Sequence, residues 1–168
     1  MSYKKGVIGF ALILSIFALI GSSPLILAES AEQSYDVDSC VSMDISPLVR
    51  SEEITIFSFD SKGIVRSNSE NKVFDNCTVH LKGVAVLEGK KQTVYAYMKY
   101  LDPDGDYVIY LYTQNPGEKA ATTILAGTGK YKGITGGGKA VRIAVGKPLT
   151  EGTMQFCNNH KGTFTMPK

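Results

Sequence analysis

The chain has 168 residues, which leaves room for one domain and at most a small appendage. Hydrophobic residues make up 43% and charged residues 20%, a balance that excludes wholesale disorder. Two of the 18 Lys+Arg, Lys4 and Lys5, precede residue 28 and all 16 Asp+Glu follow it, so residues 29–168 are neutral and carry no electrostatic footprint for nucleic acid.

Lys4 and Lys5 open the chain with positive charge, and Val7 to Ile20 is apolar or small apart from Ser15. Gly21-Ser22-Ser23-Pro24 interrupts that run before Leu25 to Ala28. Charge, apolar run and small residue in this order predict a helical export signal over residues 1–28, cut after Ala28 or, second, after Ser30. The destination is periplasmic or extracellular. Uncut, Val7 to Ala28 has the 22 residues needed to span a bilayer, so membrane contact is expected through this segment only. Residues 29–51 are polar and read as a flexible arm, and residues 52–168 read as strands.

Ile54 to Phe59 is β-branched and aromatic, Asp60 to Gly63 reads as a turn, and Ile64 to Ser67 as its return. Asn76 to Leu87 is a long strand with Val79, Leu81, Gly83 and Ala85 on one face. Glu88 to Lys91 turns it into Thr93 to Leu101, and Asp102 to Gly105 turns that into Asp106 to Thr113. Asn115 to Gly117 breaks the chain before Glu118 to Ala126. After the glycine-rich 127–138 come Lys139 to Val145, a loop, and a hairpin expected around Asn158-Asn159. No helical stripe occurs after residue 28. The prediction is all-β, a single small antiparallel barrel or sandwich of about eight strands.

Gly127-Thr-Gly-Lys-Tyr-Lys-Gly-Ile-Thr-Gly136, with Gly138 just after it, resembles the signature of the allene oxide cyclase-like barrels. Plant dirigent proteins carry a related stretch. Many small exported bacterial proteins resemble these, with an Asp-x-Asp-Gly-Asp hairpin and a Lys-Gly-Thr-aromatic ending. Here those are Asp102 to Asp106 and Lys161 to Phe164. The resemblance spans Cys77 to Met166 and implies an eight-stranded barrel, commonly oligomeric, with a mostly apolar interior. None of the cyclase's catalytic residues maps onto a position in this chain.

Gly127, Gly129, Gly133, Gly136 and Gly138 read as structural, serving bulges and corners. Tyr131 is expected to cover the backbone that Gly129 and Gly133 leave bare. Gly133 to Lys139 has the spacing of a phosphate cradle, but Ala140 stands where Ser or Thr is needed and no helix follows. Asp102 to Asp106 could open a calcium loop, yet Tyr107 and Thr113 occupy the positions that want Gly and Glu. A tight turn with a bulge at Gly105 fits better.

Six of nine tyrosines fall between Tyr95 and Tyr112. A three-residue loop at Pro103-Asp104-Gly105 pairs Asp102 with Asp106. It puts Tyr95, Tyr97, Lys99, Tyr107 and Ile109 on one face, and Met98, Tyr100, Tyr110 and Tyr112 on the other. A two-residue loop slips the pairing and exchanges the partners. Tyr95, Tyr97 and Lys99 stay together in both registers. They form a candidate surface for a subunit, a sugar or another ligand, or an ordinary cross-strand pairing on a half-buried sheet.

Cys40, Cys77 and Cys157 predict one disulfide and one free thiol in an oxidising compartment. Spacing does not decide the connectivity. Cys77–Cys157 is the expected pair, because both lie among the strands and Cys40 lies in the arm. Cys77-x-x-His80 and Cys157-x-x-His160 also supply the ligand count of a structural zinc site. Against zinc, positions i and i+3 of a strand face opposite ways. No nucleophile elbow, metalloprotease motif or carboxylate pair is present, and no cofactor is expected. The reading is a non-catalytic exported barrel that binds a small apolar or aromatic ligand in its lumen, anchored by His80 or a lumen tyrosine, or a partner on the tyrosine strip. The alternatives are an isomerase or cyclase and a structural homo-oligomer subunit.

Overall fold

Eight strands follow one another, each antiparallel to the last, and the eighth closes on the first. They are β1 (Gln33–Arg50), β2 (Ile54–Ser67), β3 (Thr78–Glu88), β4 (Lys91–Leu101), β5 (Tyr107–Gln114), β6 (Ala120–Gly127), β7 (Thr135–Val145) and β8 (Thr153–Thr165). This computed structural model describes residues 30–167. The expected signal helix over residues 1–28 lies outside the described residues.

The predicted barrel is present, but its first strand is the segment expected to be an arm. Tyr35, Val37, Ser39, Val41 and Met43 are buried, and the residues between them face out. That period of two makes a half-buried strand even with Asp36, Asp38 and Asp44 in it. β1 pairs with β2 along one edge and β8 along the other, so it is the staple of the ring.

Two expected turns are also absent. β2 runs straight through Asp60 to Gly63, with Ser61 inward and Asp60 and Lys62 opposite Lys82 and His80 of β3. Gly63 lies so close to the Cys40 carbonyl that a Cβ would not fit, which explains a glycine in mid-strand. β8 likewise passes through Asn158-Asn159 without turning, Asn158 inward and Asn159 bonded outward to Asp36 and Asp38. Polar residues that read as turn formers here serve two faces of one strand.

The loop 68–77 tucks into one end of the ring and plugs it. Phe74 adopts φ +60 and is buried among Tyr35, Tyr100, Tyr110, Tyr131 and Phe164, with ring centroids 5.6 to 6.3 Å from its own. A non-glycine residue in this conformation is uncommon and is held here by aromatic packing.

The acidic turn and the glycine motif meet at this plugged end. The Asp102 amide donates to the Asp106 carbonyl (2.7 Å) and the Gly105 amide to Asp102 (2.9 Å), the bulged three-residue loop. Gly105 takes φ +96. A short 3₁₀ turn, Gly129–Tyr131, then docks on the acids. The Tyr131 hydroxyl donates to Asp102 Oδ2 (2.9 Å), the Lys130 amide to Asp106 Oδ2 (3.1 Å), and Lys130 Nζ reaches Asp102 and Asp104 (2.9 Å each). A Cβ on Gly129 would strike the Asp106 carboxylate. Gly127, Gly136 and Gly138 each lie against a neighbouring backbone, and Gly133 takes φ +77. At each of these five positions a side chain would meet neighbouring atoms or a backbone conformation that disfavours it.

Burial pushes the Asp102 carboxyl up, but Lys130, the Asp104 amide and Tyr131 together outweigh it and hold its pKa below the usual aspartate value of 3.8. A depressed carboxylate stabilises the fold above the unfolded value, and that stability fades as pH falls through the folded one. Tyr131→Phe is expected to cost about 1.5–3 kcal/mol at pH 7, the range for a bond to a charged group. The deficit should shrink below pH 4. Urea titrations at pH 7 and pH 3 check both parts, and an equal deficit at the two would refute the assignment.

Candidate functional site

The barrel wall sorts the candidate residues into inside and outside. Tyr95 and Tyr97 point outward, each 52% exposed. Their rings meet edge-on at 5.8 Å, and Lys99 Nζ lies 5.7 Å from the centre of the Tyr107 ring. Tyr100, Tyr110 and Tyr112 face inward, the partition set by the three-residue loop.

His80 faces outward, against the expectation of a lumen anchor. Its Nε2 lies 2.7 Å from Asp60 Oδ1, and Lys82 holds the other oxygen at 2.8 Å. The physical reason is alternation: Val79, Leu81 and Ala85 take the inner face, so His80 cannot. The lumen histidine is His160, 2% exposed, on the inward row of β8. Its Nε2 lies 3.0 Å from Ser39 Oγ.

The disulfide joins Cys40 to Cys157, not Cys77 to Cys157. Cys40 and Cys157 stand directly opposite each other on β1 and β8. An open groove of about 470 Å³ runs beside the bond, lined by Cys40, Ser42, Ala144, Gln155 and Cys157 among others. Cys77 is buried and free, and burial pushes its thiol up to about 12, so it is not a neutral-pH nucleophile. The four candidate zinc ligands are dispersed: Cys157 is oxidised, Cys77 is buried ahead of β3, His80 is outside and His160 inside. Among the described residues no three metal-ligating side chains converge.

The lumen is aromatic with polar atoms set into it. Tyr100 and Tyr110 lie 5.0 Å apart by ring centroid, and His160 lies 6.3 Å from Tyr100 and 6.4 Å from Tyr112. Tyr100 Oη, Tyr110 Oη, His160 Nδ1 and Ser61 Oγ are buried without a hydrogen-bond partner among the described residues. Burial, with neighbouring tyrosines adding to it, drives both phenols well above their ordinary pKa, so they stay protonated. Burial also lowers His160 to about 4, keeping the ring neutral at pH 7. Nothing in the sequence marks Ser39, Ser61 and Asn158 as inward before the register of β1, β2 and β8 is known, and it marks His160 only through the Cys157-x-x-His160 spacing.

His160 gives the fold a titration of its own. The unfolded ring takes up a proton near pH 6.5 and the folded one only near 4, so stability falls as pH drops through that window. The loss from pH 7 to pH 4 should be on the order of 3 kcal/mol. His160→Gln should remove that part of the slope. Chemical denaturation across this range, wild type against variant, checks it; identical slopes would refute it.

No family model and no curated protein matches the sequence. Among solved structures, the chain is similar to the pterocarpan synthase dirigent protein PsPTS1, with 14% identity and a TM-score of 0.51 over 84% of this chain and 97% of that one. It is also similar to the pterocarpan synthase dirigent protein GePTS1, with 16% identity and a TM-score of 0.49 over 86% of this chain and 98% of that one. At 14% identity the likeness to PsPTS1 establishes fold alone. The chain shares the eight-stranded barrel fold of that dirigent protein, in keeping with the resemblance carried by the glycine motif and the acidic hairpin.

Proposed function

We propose that this chain is an exported, non-catalytic barrel that holds a small apolar or aromatic molecule in its lumen. The carrying observation is the set of orphaned polar atoms, Tyr100 Oη, Tyr110 Oη, His160 Nδ1 and Ser61 Oγ, inside a barrel lined mainly by aromatic and aliphatic side chains. An unsatisfied buried donor or acceptor costs about 1–3 kcal/mol, so such a cluster is best explained by a molecule that satisfies it. An apolar pocket with a few convergent polar groups is the usual form of a small-molecule site. Export is supported by the leader-like N-terminus and by the Cys40–Cys157 bond, which suits an oxidising compartment.

Native mass spectrometry of protein exported by its own host tests this. A small-molecule adduct should accompany the barrel, and Tyr100→Phe and Tyr110→Phe should each retain several-fold less of it. An adduct-free spectrum, or unchanged retention in both variants, would defeat the reading. The neutral imidazole of His160 favours a second reading, an isomerase or cyclase in which that ring moves a proton on the bound molecule. In that case the recovered molecule would be an isomer of the one supplied, and His160→Gln would stop the conversion of whatever molecule the variant still retains. A partner or a second copy on the Tyr95–Tyr97–Lys99 strip is the competing use of the outer wall, read by light scattering on a sizing column.

A further inference from the structure

Arg142 is the one basic residue of β7 whose guanidinium turns toward the lumen-facing row of β8. Its Nε donates to Asn158 Oδ1 (2.6 Å) and its Cζ lies 3.7 Å from the centre of the Phe156 ring. Asn158 and Phe156 are both buried and inward-facing. The register of β7 against β8 shifts between Arg142 and Ala144, with Ile143 the extra residue. Arg142 keeps the inward alternation of Ala140, and the bulge after it turns Ala144 outward opposite Cys157.

Three features distinguish this arginine from a surface charge. First, no carboxylate among the described residues lies within ion-pair distance of it, so no neighbouring charge neutralises its guanidinium. Second, it is pinned: Asn158 takes Nε and Phe156 takes one face, which leaves the paired terminal nitrogens as the open edge. That edge is the fork that matches a carboxylate with two parallel bonds. Third, it is reachable. β6 pairs with β7 at only four positions, ending at Ala120 opposite Ala140. From Val141 onward β7 has β8 on one side and, among the described residues, no strand on the other, so the wall is open beside Arg142. The opposite end of the ring is plugged by Phe74.

We propose that Arg142 is the anion-reading anchor at the open mouth of the barrel, and that the molecule bound there is an apolar or aromatic carboxylate. The inference rests on the lumen-binding reading above and adds the chemical class of the ligand. The carboxylate sits on the guanidinium edge, and the apolar body lies along Phe156 toward Tyr112 and His160. Tyr112 lies close enough that the Arg142 charge offsets part of the burial that raises its phenol.

The test uses two probes of one shape, 2-naphthoate and the neutral 2-naphthamide, titrated calorimetrically into the full oxidised protein at pH 7.5. The wild type should bind the carboxylate roughly tenfold or more tightly than the amide. Arg142→Gln should erase the difference by weakening the carboxylate, and Arg142→Lys should retain part of it. If Arg142→Gln fails to fold, Arg142→Met keeps the aliphatic stem over Phe156 and is read the same way. Equal affinities in the wild type, with the amide still bound, overturn this inference alone. A carboxylate preference that survives Arg142→Gln places the anion elsewhere and overturns it too. Loss of both probes in a folded variant overturns it as well, because Arg142 then shapes the mouth without reading charge. Failure of both probes to bind the wild type removes the lumen reading and this inference with it.

Discussion

Replacing Cys40 and Cys157 by serine is expected to lower the unfolding free energy by about 4–5 kcal/mol. The bond spans 117 positions of sequence, nearly the whole barrel, so it removes much freedom from the unfolded chain. It also joins the first strand to the last, the seam that no local hairpin can close. A domain of this size has about 5–15 kcal/mol in total, so the variant should sit near its unfolding limit at 37 °C. Urea titration of oxidised wild type against the double serine variant measures the loss. A reductant should reproduce it without mutation, because Cys40 is exposed. Equal midpoints for the two proteins would show that strand pairing alone seals the ring.

Phe74→Ala should cost about 3–5 kcal/mol, the upper range for an emptied aromatic site. Phe74 is the hub of the plug, touching five rings from four strands and the 3₁₀ turn. Truncation leaves Tyr35, Tyr100, Tyr110, Tyr131 and Phe164 facing a void that the rigid wall cannot close. Its backbone at φ +60 is itself unfavourable, and with the ring gone nothing repays that conformation. Phe74→Leu should lose distinctly less. Denaturant midpoints of the two variants, with near-ultraviolet circular dichroism to follow the tyrosines, check the expectation. A loss below about 1 kcal/mol for Phe74→Ala would mean that the loop 68–77 only covers the end of the barrel.

How much of this was legible beforehand depends on which residues carried the signal. Strands β3 to β6 were readable because branched and aromatic residues fill them and Gly, Pro and Asp mark their ends. β1 was missed because its alternation is written with Ser, Asp and Cys, and only every second residue is apolar. That omission propagated. With β1 read as an arm, Cys40 looked remote from Cys157, although the strand register sets the two face to face. His80 was a different case. Val79, Leu81 and Ala85 already claimed the inner face of β3, and the next residue along could only point out. His160 and Asn158 were hidden because an Asn-Asn pair reads as a turn. Which tyrosines line the lumen hung on one residue of loop length, which chemistry near Gly105 decides and composition does not.

Because β8 returns to β1, Gln33 stands opposite Phe164 and the two strand ends are neighbours in space. A short linker could therefore join them, with new ends cut at the Gly89 hairpin, and every ladder would survive. In that rearranged order the two half-cystines would be separated by roughly fifteen residues plus the linker, and the crosslink would contribute about 3 kcal/mol where it now contributes about 4–5. The same bond, at the same place in the wall, would then hold less, since its strength is a property of the path the backbone takes between its ends.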